Sequence, residues 1–212
     1  MKIDRAGFPF IAAALVPAAG LAMARRYGWA SSFAALGGFF AYFFRDPDRQ
    51  VPAGPNLVVS PADGKVMFAG RSNPATSPPG LWHHIVIFLS PLDVHINRAP
   101  VEGTVTRIEY RAGRFLPANS AGADENELNE IWVDSNGTVV VFRQVVGILA
   151  RRIVCRVEEG QFIDRGQRIG LMKFGSRMDV FLPLHSQLCV AEGQTVTAGE
   201  TIVAQLRSPD VA

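Results

Sequence analysis

The sequence predicts a mainly β chain, a compact β-sandwich or barrel-sandwich-like domain behind an N-terminal hydrophobic helical hairpin. Three observations carry that prediction. Two apolar runs at the start, Gly7–Ala24 and Gly28–Phe44, flank Arg25, Arg26 and Tyr27. From Leu57 onward the chain breaks into short Val- and Ile-rich runs bounded by Gly, Pro, Asn or Asp, the pattern of strands and turns. Finally, "VEEGQFIDRGQRIG" (157–170) repeats as "VAEGQTVTAGETIV" (190–203), which predicts two similar strand–turn–strand units in one β-fold.

Each apolar run approaches the roughly 20 residues that a helix needs to cross a hydrocarbon core. Their Ala, Gly and Ser content suits close helix packing in lipid. A cleaved signal peptide fits poorly, because a second apolar run follows directly. The alternative is a buried hairpin in a soluble protein. Lys2, Arg5, Arg45 and Arg49 outnumber Arg25 and Arg26, so the positive-inside tendency puts both ends of the hairpin in the cytoplasm. "FFRDPDRQVPAGPN" then reads as a linker at the membrane surface. The expected organisation is an anchor and linker over residues 1–50 and a β-domain over 51–212.

Within the β-domain, "DSNG" at Asp134–Gly137 is a hairpin signal, since Asn-Gly fits a turn needing positive φ. The polar stretch "LPANSAGADENELNE" (116–130) is long for a loop in a compact domain, and such loops are often functional. The net charge of +2 argues against a nucleic-acid partner. Cys155 and Cys189 have neither the spacing nor the flanking histidines of a zinc site, so no metal is expected.

The stretch "GLMKFGSRMDVFLP" (170–183) sets the functional question. It reads as strand, Gly-Ser pair, strand. It is either a hairpin turn, a carrier site with Lys173 modified, or a Gly175–Ser176 bond that the protein itself breaks. Two other stretches bring reactive side chains to strand ends: "SPADGKV" with Asp63, and "LDVHINRAPVEG" with Asp93, His95, Asn97 and Arg98. A serine hydroxyl can attack the preceding carbonyl and convert the amide to an ester, and glycine permits the distorted backbone this needs. Histidine is the base best poised near neutral pH, and a carboxylate can orient it. β-Elimination then splits the chain, and the former serine ends as a pyruvoyl group, an electron sink.

With "FFRDPDR", "SPADGKV", "HINRAPVEG", "NELNE", "GILARRIVC", "GQRIGLMKFGSRMDVFLP" and "GQTVTAGETIVA" in order, the chain resembles the phosphatidylserine decarboxylase proenzymes, in particular their short bacterial subfamily. The resemblance runs nearly end to end. It implies self-cleavage of a zymogen between Gly175 and Ser176, a β chain of 1–175 and an α chain of 176–212, with the pyruvoyl cofactor made from Ser176. It implies conversion of phosphatidylserine to phosphatidylethanolamine and CO2 through a Schiff base, at the cytoplasmic face of the inner membrane. The partners are then the lipid substrate and the two chains of one precursor, with a homo-oligomer compatible.

On this reading His95 is the acid of decarboxylation and the base of self-cleavage, and Asp63 orients it. Arg98 and Arg177 are expected at the lipid phosphate. One departure stands out: longer bacterial members carry a second histidine where this chain has Arg98. Either His95 serves both steps, or His83 or His84 assists. The rival functional class is a membrane-anchored biotinyl- or lipoyl-like carrier or transport adaptor, since "LMKFG" faintly echoes a carrier's Met-Lys-Met turn and the β-pattern is similar to the barrel-sandwich fold. A third reading, an inert tethered scaffold, leaves the three motifs to coincidence.

Overall fold

The computed structural model describes residues 2–147, 153–173 and 176–207. Residue contacts divide the chain into two units, Met1–Asp48 and Arg49–Ala212.

The first unit is a helical hairpin. A short strand β1 (Lys2–Ile3) pairs antiparallel with β2 (Arg45–Asp46) and closes its base. Asp4 accepts a hydrogen bond from Ala6 N and so caps a single 3-10 turn. Helix α1 (Phe8–Met23) follows, with Pro9 in its first turn, where the missing N–H costs nothing. Arg25 adopts a left-handed conformation between the helices, and α2 (Tyr27–Phe43) returns. Small residues set the contact between the helices: Ala14, Ala18, Ala30 and Gly37 are buried, and a Cβ on Gly37 would lie 2.6 Å from Leu15 Cδ2. Leu15, Val16, Trp29 and Tyr42 face outward. The helical stretch Arg5–Met23 is 19 residues with mean hydropathy 1.8, long and apolar enough to cross a membrane.

The second unit is all β, as the run pattern predicts. Its strands are β3 (Leu57–Val59), β4 (Gly64–Arg71), β5 (Trp82–Leu89), β6 (Ile96–Arg98), β7 (Gly103–Arg111), β8 (Leu128–Ser135), β9 (Thr138–Val146) and β10 (Ile153–Cys155). They continue as β11 (Phe162–Ile163), β12 (Arg168–Met172), β13 (Ser176–Pro183), β14 (Gln187–Leu188), β15 (Thr195–Val196) and β16 (Ile202–Gln205). Eight form one sheet in the order β11-β7-β8-β9-β13-β5-β4-β15. Two three-stranded sheets, β10-β12-β6 and β14-β16-β3, complete the unit. The core includes Ile85, Ile87, Leu89, Ile131, Phe142, Met178, Val180 and Leu182 on one face of the large sheet, with Ile169, Met172 and Val203 from the small ones. The β8–β9 hairpin turns at Asn136 and Gly137, both at positive φ, and Asp134 accepts from Gly137 N.

The sequence echo is a structural one. Val66 N donates to Gln194 O and Gly193 N to Val66 O; one repeat earlier, Val105 N donates to Gln161 O and Gly160 N to Val105 O. Gly199 N reaches Ser60 O as Gly166 N reaches Ala99 O. So "SPADGKV" (60–66) is matched by "APVEGTV" (99–105), and both strands carry a register irregularity just beyond, at Val66/Phe68 and at Val105/Arg107. At Gly64 a Cβ would lie 2.1 Å from Phe88 O, and at Gly103 2.2 Å from Asp134 O. Both glycines sit at positive φ against the neighbouring backbone, which cannot move aside. Gly103→Ala is therefore expected to destabilise the fold by about 1–3 kcal/mol or more, read from urea unfolding. Gly137→Ala, with open space around it, should cost no more than about 1–2 kcal/mol.

Candidate active site

The segment 173–175 does not close a hairpin. Strand β12 pairs with β6 and β10, whereas β13 pairs with β5 and β9. The chain crosses there from a three-stranded sheet to the eight-stranded one, so Lys173 is not at the tip of a two-stranded turn. Gly175, the expected acyl side of the cleaved bond, lies outside the described residues. Ser176 is the first residue of β13, opposite Leu89 on one side and Val146 on the other. It is 0% exposed, and its Oγ has no hydrogen-bond partner among the described residues. Burial of an unpaired hydroxyl costs about 1–3 kcal/mol, and a group held that way is a reactive-site candidate rather than a structural one.

Alternation along β13 sorts its side chains. Met178, Val180 and Leu182 share the core face with Ser176. On that face a buried amide relay lies near the serine: Asn129 Nδ2 donates to Gln144 Oε1 at 3.2 Å, and Gln144 Nε2 to Asn97 Oδ1 at 2.9 Å. Asn97 Nδ2 has no partner among the described residues.

His95 stands two residues before Asn97 and is 2% exposed. Its carbonyl accepts from Met172 N, four residues before Ser176. It also follows the Ser90–Asp93 turn that leaves Leu89, the partner of Ser176. The fold thus brings His95 to the end of β13 where Ser176 sits. His95 Nδ1 lies 2.9 Å from the Asp93 carbonyl, so the proton on Nδ1 is held and Nε2 is the basic nitrogen.

The other expected residues have partners of their own. Asp63 accepts from Arg49 Nη2 at 2.7 Å and from Ala198 N at 2.8 Å, which ties the "SPADG" turn to its neighbours. Its carboxylate is engaged there, and the orienting contact at His95 Nδ1 is the Asp93 carbonyl. Arg98, also buried, donates to Gly166 O at 2.9 Å. His83 Nε2 contacts Leu184 O, and His84 stacks on Phe181 at 4.3 Å. These two histidines pair with Leu182 and Phe181, at the far end of β13 from Ser176.

Arg177 points away from the core, onto a charged cluster that the sequence reading missed. Its Nη2 donates to Asp179 Oδ2 at 2.9 Å and to Asp124 Oδ1 at 2.5 Å, and Nε lies 2.8 Å from Asp179 Oδ1. His84 Nε2 is 3.7 Å from Asp179 Oδ2. The period-2 pattern of "SRMDVF" already placed Arg177 and Asp179 on one face; what they meet there comes from other strands and a loop. Burial by itself pushes the Asp179 carboxyl up. The Arg177 guanidinium, helped by His84, outweighs it and holds Asp179 well below the usual carboxylate range. Beside Arg177 a cavity of about 290 Å³ is lined by Met67, Phe68, Val86, Ala118, Asn119 and Ser120.

A carboxyl depressed in the folded state adds stability above its unfolded pKa and loses it as the pH falls toward the folded one. Asp179→Asn is thus expected to cost about 3–5 kcal/mol at pH 5, with the gap to the parent shrinking below about pH 4. Urea midpoints of both proteins across that range check this.

Comparisons with known proteins show the family. The family model described as phosphatidylserine decarboxylase matches residues 36–204. A phosphatidylserine decarboxylase proenzyme of Solibacter usitatus is 46% identical over 79% of this chain and 78% of its own length. The proenzyme of Paramagnetospirillum magneticum is 41% identical over 99% and 89%, and that of Anaplasma phagocytophilum 39% identical over 100% and 94%. By the family match, and by relatives of this similarity along nearly the whole chain, the chain belongs to the phosphatidylserine decarboxylase family.

Proposed function

We propose that this decarboxylase makes its own cofactor by breaking the Gly175–Ser176 bond, and that it converts phosphatidylserine to phosphatidylethanolamine and CO2 with the pyruvoyl group so formed. The observation that carries the reading is Ser176 Oγ, fully buried and without a partner among the described residues, at the start of an interior strand. A hydroxyl kept from water and from competing donors is free to attack the carbonyl before it. In that step Oγ bonds to the Gly175 carbonyl carbon, the amide C–N bond breaks, and the hydroxyl proton passes to a base. His95 is the base: it lies at the same end of β13, and its Nδ1 sits against Asp93 O, which leaves Nε2 to take the proton. That proton is then given to the departing nitrogen. In the β-elimination a base removes the Cα proton of residue 176, the Cβ–O bond breaks and the Gly175 carboxylate leaves a dehydroalanine. Water adds to its imine tautomer and ammonia departs, which leaves the pyruvoyl end.

The residues fit such a group. Ser176 has the core face of the sheet around it, with Val146 and Leu89 as walls. The pyruvoyl carbonyl supplies a site for the substrate amine and a sink for the electron pair left when CO2 departs. His95 Nε2, protonated, returns a proton to the product carbon. The low polarity of the walls favours loss of charge from the substrate carboxylate. Asp63 holds Arg49 and the Ala198 turn. Arg98 and Arg177 have internal partners already, so neither is assigned to the lipid phosphate. The apolar N-terminal unit anchors the chain in the cell membrane; the excess of flanking Lys and Arg supports a cytoplasmic β-unit.

Two variants test this. Ser176→Ala should yield one intact chain by denaturing mass spectrometry and no CO2 release; normal splitting of that variant would end the self-cleavage reading. His95→Ala should stay in one piece and lower CO2 release by at least about 10²–10⁴-fold; normal splitting would remove His95 as the base of cleavage, and full turnover would remove it from the chemistry.

A further inference from the structure

We propose that Asp124 is a positioning residue whose ion pair with Arg177 clamps the reactive end of β13 once the chain has been cut. The inference rests on the self-cleavage reading above. In the uncut chain Ser176 is held by the backbone on both sides. After the cut it becomes the first residue of a separate α chain, and strand termini fray unless tied down. The new end is also weaker than an ordinary terminus. A pyruvoyl group has no backbone N–H, so residue 176 can no longer donate to the β-ladder.

Arg177 is the first side chain behind that end. Asp179, in the same α chain and fully buried, fixes the guanidinium from within the strand. Asp124, in the β chain, then holds it from across the cut. Asp124 can bear that load because its loop is anchored at the same place. Asp124 lies in a 3-10 turn, Ala121–Glu125. The next residue, Asn126, is buried; it donates to Leu116 O and Val146 O and accepts from Leu116 N, each at 2.8 Å. Val146 is the register partner of Ser176, and Val146 N in turn donates to Glu127 O. The polar loop 116–127 is therefore stitched to the strand beside the serine, and its carboxylate is stitched to the residue after it. The Arg177 side chain is 9% exposed and that of Asp124 33%, so the pair is shielded enough to outlast screening by salt.

The test uses full-length protein in lipid nanodiscs. Intact mass first establishes whether the parent splits at 175/176. In split Asp124→Ala, kcat should fall on the order of 10–100-fold, while KM changes by less than about twofold. Amide exchange of the peptide starting at Arg177 should accelerate at least about tenfold relative to the split parent, with the β8–β9 hairpin unchanged. In an uncut background carrying Ser176→Ala, the same Asp124 change should accelerate that peptide by less than about threefold, because the backbone still holds it. Asp124→Asn, similar in size, should behave as Asp124→Ala does, and Asp124→Glu should restore most of kcat. A split Asp124→Ala or Asp124→Asn with parental exchange and parental kcat overturns the clamp. So does equal acceleration in the cut and uncut backgrounds, which would mark a merely structural pair. A parent that stays in one piece overturns the self-cleavage reading itself, and the clamp with it.

Discussion

Strand β13 has hydrogen-bonded neighbours on both sides, and the site depends on that constraint. Ser176 through Phe181 pair with β5 and β9 at once. A strand so placed can lose its covalent link at one end and still stay in register. Its two faces then do separate work. The core face carries Ser176 and the apolar side chains that keep water out. The other face carries Arg177 and Asp179, charges that are buried yet paired, an arrangement whose value lies in fixing geometry more than in net stability.

The preceding crossover matters equally. β12 and β13 belong to different sheets, so the two strands flanking residues 173–175 are not hairpin partners. The link at Gly175–Ser176 joins two separately anchored strands. One of those anchors is the His95–Met172 contact, so the proposed base is tied to the strand that leads into the proposed cleavage site.

The internal pseudo-symmetry separates scaffold from chemistry. The glycines of "SPADG" and "APVEG" solve one packing problem twice, a strand that must approach another backbone too closely for a Cβ. That half of the motif is architecture. Asp63 departs from the symmetry by reaching Arg49 and Ala198.

Local patterns determined a good deal without tertiary information. Val- and Ile-rich runs between turn residues gave the β-unit, the Asn136-Gly137 pair gave the β8–β9 hairpin, and the two apolar runs gave the helices α1 and α2. The 33-residue echo announced the paired units, because equivalent turns need equivalent glycines. Ser176 and His95 were singled out by the residue types beside them, and their proposed chemistry rests on those types. Tertiary structure decided the partners. The sequence could not say that Asp124 meets Arg177 across 53 positions, that Asp63 turns to Arg49, or that "KFGSR" joins two sheets rather than two strands of one. A side chain's type and its face follow from local periodicity; what stands opposite that face depends on strand order, which is set by the burial of the whole chain.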